Sequence, residues 1–226
     1  MNSRREEFLG RVRQAVSTGN RPGFDHRLEP SDFARIEKPD IDLVGQFQNQ
    51  FSAVGGIFHL VADAEACIEE ILSLVAEKSV KRLLLGSGNL IDKLGLASRL
   101  KNAEVDVIVI NELEVNSCRE PFFAADIGIS TVYCLVAETG SIVLHSAITQ
   151  PRSLSLLPPV HIALAVRNQI VADLFDLFPS SSNQLEQTLP SCITFITGPS
   201  KTGDIELKLV TGVHGPGEIH VILLES

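Results

Sequence analysis

Near the start of the chain, Phe8, Val12 and Val16 are spaced as one face of a helix, and Ser3 stands three residues ahead of Glu6 as in a capping box. The stretch over 18–40, TGNRPGFDHRLEPSDFARIEKPD, loses that period. It is rich in Pro, Gly and charge and reads as a long surface connection. Leu43, Phe47, Phe51 and Val54 then mark a second helix. These shifts predict an N-terminal helix and extended connection over 1–40, ahead of one domain over 41–226.

From there the pattern alternates. GGIFHLV reads as a strand, AEACIEEILSLVAEK as a helix, VKRLLLGSG as a strand, NLIDKLGLASRL as a helix and EVDVIVI as a strand. Nearly all-apolar strands separated by amphipathic helices predict a three-layer α/β fold, with a mostly parallel sheet covered by helices on both faces. YCLVAETGSIVL carries a Thr-Gly break suited to a hairpin. VHIALAV and CITFITG read as buried strands, NQIVADLFDLF as the helix between them and HVILLES as the last strand. KTGDIELKLVTG is ambiguous, because Ile205, Leu207 and Leu209 alternate like a strand while Thr202–Asp204 resembles a helix start.

Composition narrows the classes. The 226 residues are 44% hydrophobic and 21% charged, as in ordinary globular chains. A net charge of −9 argues against a nucleic-acid binder, which needs excess Lys and Arg to neutralise phosphates. No apolar run approaches the roughly 20 residues of a membrane span, and the start lacks an apolar signal core, so the expected location is cytoplasmic. Cys67, Cys118, Cys134 and Cys192 have neither zinc nor ferredoxin spacing and read as buried reduced thiols. His145, His161, His214 and His220 with Glu138 lack a recognised metal-ligand spacing, and no metal is expected.

Candidate chemistry falls after strands and beside turns. Gly86, Ser87, Gly88 and Asn89 follow VKRLLL and open a helix, where backbone N–H groups can meet an anion; a plain turn with Asn89 as N-cap fits equally. Asp126 and Glu138 stand in apolar surroundings. Glu138 reads either as a nucleophile or general base or as an exposed strand-end residue, and Asp126 as an orienting partner or a turn former. Arg152 offers a fork of donors for a carboxylate or phosphate, ahead of the stiff Pro158–Pro159 pair. His161, at a strand mouth, suits proton transfer near neutral pH or a structural hydrogen bond. Gly198, Ser200, Thr202, Asp204 and Glu206 again put small and polar residues after a strand, and His214 with Gly215 precedes a Gly-Pro turn at the rim of a site. His59 and His220 read as structural.

Taken in order, AADIGIS, AETGSIVL, RSLSLLPPVHIALAV and ITGPSKTGDIELKLVTGVHGPGEIHVILL closely resemble the LUD-domain family of lactate utilization proteins. The resemblance runs from about Ala125 to Leu224; the first 120 residues share only the general layout. STVYCLVAETG departs from a more Ala/Gly-rich family pattern, so Tyr133 and Cys134 are expected to alter what fits beside Glu138. The resemblance implies a fold like that of CoA transferases and ribose-phosphate isomerases. It also implies a part in bacterial oxidation of L-lactate to pyruvate, beside sister subunits that carry iron–sulfur clusters.

This chain has no cluster-type cysteine spacing and no dinucleotide fingerprint, so a non-redox subunit without its own cofactor is expected. It would bind a small carboxylate or phosphorylated ligand at the strand ends. Arg152 would hold the anion, Glu138 and His161 would supply acid–base chemistry with Asp126 orienting, and Thr139, Gly140 and the other glycine loops would supply N–H donors. Two alternatives stand beside it: a CoA-transferase-like or sugar-phosphate isomerase-like enzyme using Glu138, and a structural or regulatory subunit.

Overall fold

The computed structural model describes residues 2–19, 42–112, 120–177, 190–203 and 209–225. Residues 1–39 and 40–226 form two compact units. In the first, helix α1 (Asn2–Gly19) already contains Ser3, so this serine is not the residue before the first turn. Phe8, Val12 and Val16 are exposed along it.

The second unit begins with α2 (Leu43–Ala53), which buries Val44, Phe47 and Phe51. It continues through β1 (Ile57–Val61), α3 (Ala64–Glu77) and β2 (Arg82–Leu85). Asp63 caps α3 by accepting the Ala66 N–H at 2.9 Å. The segment read as one helix over 89–100 is instead two, α4 (Asn89–Leu94) and α5 (Leu96–Asn102), because Gly95 adopts φ 61° and breaks the turn. The residue before α4 is Gly88, so Asn89 is its first residue and not its N-cap.

Next come β3 (Asp106–Val109), α6 (Glu120–Phe123), β4 (Ile127–Thr131), β5 (Cys134–Val136) and β6 (Ser141–His145). After them follow α7 (Ser153–Leu156), β7 (Val160–Val166), β8 (Ile170–Val171) and β9 (Ile193–Ile196). The chain closes with β10 (Lys201–Gly203), β11 (Leu209–Thr211) and β12 (Glu218–Leu224).

A six-stranded sheet in the order β1-β12-β7-β4-β2-β3 forms the centre, and all its pairings are parallel. One face packs on α3, α4 and α5 through residues such as Ile71, Leu83, Leu100, Ile129 and Leu164. The other packs on α2 and a second sheet through Phe47, Phe51, Leu135, Ile142, Ala163 and Val221. That second sheet, β8-β5-β6-β9, takes up the hairpin read in YCLVAETGSIVL. It is a mostly parallel, three-layer α/β fold.

Two readings are corrected here. Of the stretch read as a helix over 168–178, the described residues, 168–177, form no α-helix: short 3-10 turns lie at Arg167–Gln169 and Phe175–Leu177 around β8, whose residues pair with β5. CITFITG contributes β9 to the second sheet, antiparallel to β6 and only half-buried, instead of a strand of the parallel core. The ambiguous stretch forms the β10–β11 ladder on either side of residues 204–208, which lie outside the described residues.

Candidate functional site

Strand order decides where a ligand can sit. The connection from β2 leads outward to β3, while the next strand, β4, lies on the other side of β2 and leads on toward β7. The direction of winding therefore reverses between β2 and β4. In open parallel sheets the crevice beyond the carboxyl ends of such a strand pair is where ligands bind. Here it is bounded by Gly86–Asn89 after β2, by Ser130 and Thr131 ending β4, and by the 146–155 segment after β6.

Gln150 organises this crevice. Its Nε2 donates to the Ser87 carbonyl at 3.0 Å and to Thr131 Oγ1 at 3.3 Å. A carbonyl oxygen only accepts, so the amide orientation is fixed. Gly86 makes room for it, since a Cβ there would lie 2.7 Å from the Gln150 amide. The other amide atom, Gln150 Oε1, and the Ser87 hydroxyl oxygen are buried and have no hydrogen-bond partner among the described residues. Burying a polar atom unpaired costs about 1–3 kcal/mol, so each such atom calls for a partner, whether a water or a ligand.

Ser130, Thr131, His145, Gln150, Arg152 and Ser155 line a narrow cavity of about 10 Å³, the room of one oxygen atom. It adjoins an open groove of about 670 Å³ that shares Ser146, Pro151 and Arg152. On the other side of Thr131 lies a pocket of about 460 Å³ that includes Asn89 and Lys93. Tyr133 stacks on His145 with ring centroids 3.7 Å apart, so this departure from the family pattern shapes the crevice and not the surroundings of Glu138. Cys134 faces the outer side of the second sheet with Val136, Val143 and Leu177.

Arg152 stands directly before α7 and is exposed. Its side chain makes no hydrogen bond or ion pair with the described residues. It does not pair with Asp126, whose Oδ2 accepts the Lys81 and Arg82 N–H groups at 2.8 and 3.0 Å and clamps the start of β2. Asp126 therefore sits at the amino end of the strands, away from the crevice.

His161 is also displaced from the expected role. It is the second residue of β7, fully buried, and burial lowers its pKa to about 3 with help from His220. Such an imidazole does not take up a proton near neutral pH. Its Nε2 lies 2.9 Å from Ser130 Oγ, and its Nδ1 has no partner among the described residues.

Glu138, Thr139 and Gly140 form the turn before β6, whereas Arg152 lies beyond that strand's other end, so the length of β6 separates them. Glu138 is exposed. Gly140, at φ 63°, abuts α2: a Cβ there would come within 2.4 Å of the Phe51 nitrogen. Thr139, Ser141 and Thr197 share hydroxyl hydrogen bonds of 2.7 Å. Gly198, Ser200, Thr202, His214 and Gly215 gather before the start of β12, where Ser200 N–H donates to the Pro216 carbonyl and Gly212 N–H to the Ser200 carbonyl, each at 2.9 Å. His214 is exposed there. Arg152, Glu138 and His214 thus do not share one cleft. Asp204, Glu206 and Cys118 lie outside the described residues.

A second polar cluster fills the amino-terminal half of β12. His59 Nδ1 donates to Glu70 at 2.8 Å, and its Nε2 meets His220 Nδ1 at 2.9 Å. His220 Nε2 donates to Glu218 at 2.6 Å, and Lys78 also pairs with Glu218. Burial works to raise the Glu218 carboxyl, but the Lys78 and His220 hydrogen bonds outweigh it and hold the group below its ordinary value. Burial lowers His220. Among the described residues no three His, Cys, Asp or Glu side chains are grouped to hold a metal ion. Cys67 and Cys134 are buried in separate clusters, and burial raises their thiols to about 11 and about 12.

The sequence reading missed Gln150, Ser130 and Thr131. Nothing in their spacing marks them; only the strand order brings them to Ser87 and Arg152.

Comparison with known proteins adds the family. Residues 44–224 match the model of the LUD domain. The chain is 31% identical, over all of both chains, to "Lactate utilization protein C" of Halalkalibacterium halodurans. It is 32% identical to the protein of that name from Shouchella clausii, covering 96% of this chain and 93% of that one. A DUF162 family protein from Deinococcus radiodurans shares the fold, with a TM-score of 0.58 and 20% identity over 80% of this chain and 96% of the other.

Proposed function

The chain belongs to the LUD-domain family, and from that premise we propose that it serves lactate utilization by binding a small anionic ligand at the carboxyl ends of β2 and β4. The observation that carries this reading is the crevice itself. An exposed Arg152 with no partner among the described residues lines a narrow cavity with Gln150, whose Oε1, like the Ser87 hydroxyl oxygen, is buried without a partner among the described residues. A guanidinium can give two parallel hydrogen bonds to a carboxylate, and neighbouring hydroxyls add neutral donors.

In this reading the chain is a non-redox subunit of a system that oxidises L-lactate to pyruvate. Oxidation removes two electrons, and iron–sulfur partner subunits carry them. The chain works in the cytoplasm; no helix among the described residues is long and apolar enough to cross a membrane. The transferase or isomerase alternative would rest on Glu138, which is exposed and far along β6 from the crevice.

The test has two parts. L-lactate titrated into the purified chain should bind saturably, and deletion of the gene should abolish growth on L-lactate. The purified chain should be colourless and unable to reduce a dye with L-lactate. A cluster or flavin absorbance band, or turnover by the chain alone, would sink the non-redox assignment.

A further inference from the structure

We infer that the His59–His220 contact is a proton-dependent clamp on the edge strand β1. At neutral pH the two rings hold three N–H protons between them and carry one positive charge, and losing that charge as the pH rises loosens β1.

The argument is a count of protons. Contacts of 2.8, 2.9 and 2.6 Å run in a line from Glu70 through His59 and His220 to Glu218. Each hydrogen bond needs one proton. A carboxylate only accepts, so each outer bond takes a proton from its ring. Two neutral imidazoles have no other N–H to give. The middle contact would then set a bare His59 Nε2 against a bare His220 Nδ1 at 2.9 Å. The rings meet end-on: their centroids are 5.2 Å apart, matching the nitrogen-to-nitrogen distance plus a ring radius on each side, and their planes differ by 22°. That is the geometry of an N–H···N bond, which requires the further proton.

Its place follows from the neighbours. Burial works to raise the Glu218 carboxyl, but the Lys78 and His220 hydrogen bonds hold it ionised. A carboxylate is a weaker base than an imidazole by about two pH units, so the proton belongs on a ring and not on Glu70. Burial lowers His220, whose side chain is 2% exposed against 18% for His59. The charge therefore rests on His59, beside the Glu70 carboxylate, and His220 stays neutral with its proton on Nε2. The other titratable groups nearby do not compete. Lys78 pairs with Glu218, the Cys67 thiol is pushed up to about 11 by burial and by Glu70, and His161 on β7 is neutral.

β12 is the sheet partner of β1, and α3 supplies Glu70. The charged ring thus ties three elements together through charge-assisted bonds, roughly twice as strong as neutral ones. Once the proton leaves, the middle contact opposes two lone pairs and Glu70 loses its charged donor. The extra proton belongs to the pair, which titrates as a unit. An unfolded chain releases imidazole protons near about pH 6.5, whereas the folded pair holds its proton beyond that point. The clamp is therefore complete below that pH and is lost as the pH rises through the value at which the folded pair lets go. His161 acts in the opposite direction, toward acid, so the two windows are separate.

Nitrogen NMR of the isotopically labelled full chain at about pH 7 tests the count. Both ring nitrogens of His59 should be protonated, with Nε2 of His220 protonated and its Nδ1 bare. Amide hydrogen exchange, corrected for the intrinsic effect of pH, reads the clamp. Protection of Phe58, His59 and Leu60 should fall at least about tenfold from about pH 6 to about pH 9, while Ile162–Leu164 of β7 hold theirs. His59→Gln offers His220 an amide donor that does not titrate, and it should flatten that change. Should the variant fail to fold, the two measurements on the unaltered chain decide alone. A single proton on each ring at about pH 7, or equal β1 protection at both ends of the range, would overturn the inference.

Discussion

The two ends of the central sheet both carry polar side chains, and they differ in whether those side chains are paired. At the amino-terminal half, Lys78, Glu218, His220, His59 and Glu70 form an unbroken chain of contacts, each group meeting another within the fold. At the carboxyl end, Ser87 Oγ and Gln150 Oε1 are buried without partners among the described residues and Arg152 faces solvent. A histidine-and-carboxylate cluster looks more like chemistry than a glutamine and a serine do. Pairing reverses that impression: the first set holds β1, β12 and α3 together, and the second is left with unmet hydrogen bonds.

The largest effect should come from breaking the crevice at its root. A Cβ on Gly128 would lie 2.0 Å from the Leu154 carbonyl oxygen, so Gly128→Ala must push α7 off β4. Overpacking against backbone should cost about 3 kcal/mol or more, read by chemical denaturation, and should abolish L-lactate binding. Arg152→Lys sharpens the contrast from the other side. Because the guanidinium is exposed, the melting temperature should hold, while binding of L-lactate weakens by about 1.5–3 kcal/mol through loss of the planar fork. A large fall in melting temperature with normal binding would make Arg152 structural.

Acid should act through His161. Its folded-state pKa of about 3 lies below the ordinary 6.5, so the unfolded chain binds a proton that the folded one refuses. That contribution is intact above about pH 6.5 and is lost as pH falls toward about 3, by up to about 1.4 kcal/mol per pH unit. Denaturation midpoints measured from about pH 7 to about pH 5 should fall accordingly, and His161→Gln should flatten the slope. A flat profile in the unaltered chain would show that the imidazole is protonated or reached by solvent.

Gly86→Ala is gentler, since the added methyl meets only the end of the Gln150 side chain. It should cost about 1 kcal/mol of stability while clearly weakening L-lactate binding, because Gln150 must leave its place. Smallest of all, Glu138→Gln should leave L-lactate affinity unchanged within error. A loss there would join the β5–β6 turn to the crevice against the geometry.

How much was legible follows from what each residue answers to. The alternation of apolar strands with amphipathic helices is a local signal, and it placed α2, α3, β1, β2, β3 and β7. The 168–178 stretch misled because Ile170 and Leu177 mimic a helical stripe while each serves a different layer. β4 was hidden for a similar reason. Gly128 and Ser130 interrupt its apolar run, one to admit the α7 backbone and the other to bond His161. At the crevice, Arg152 and Gly86–Asn89 stand out in the sequence by their types and positions. Gln150 does not, because an unremarkable glutamine acquires its role only when strand order sets β2 beside β4. His161 and Asp126 were over-read: a titratable residue in apolar surroundings suggests chemistry until its burial or its backbone partners are known.

The position of β12 bears on how the molecule comes to be assembled. This strand is the last in the sequence yet lies between β1 and β7, and its His220 meets His59 from 161 residues away in the chain. During synthesis β1 can therefore have no sheet partner until nearly the whole domain has left the ribosome. Its Ile57 and Leu60, exposed even in the finished fold, lie on an unpaired edge for that interval. Pairings of such long sequence separation form slowly. Nascent chains stalled before residue 218 would expose β1 and β7 as open edges, the form in which a domain of this kind is most prone to aggregate and most in need of a chaperone.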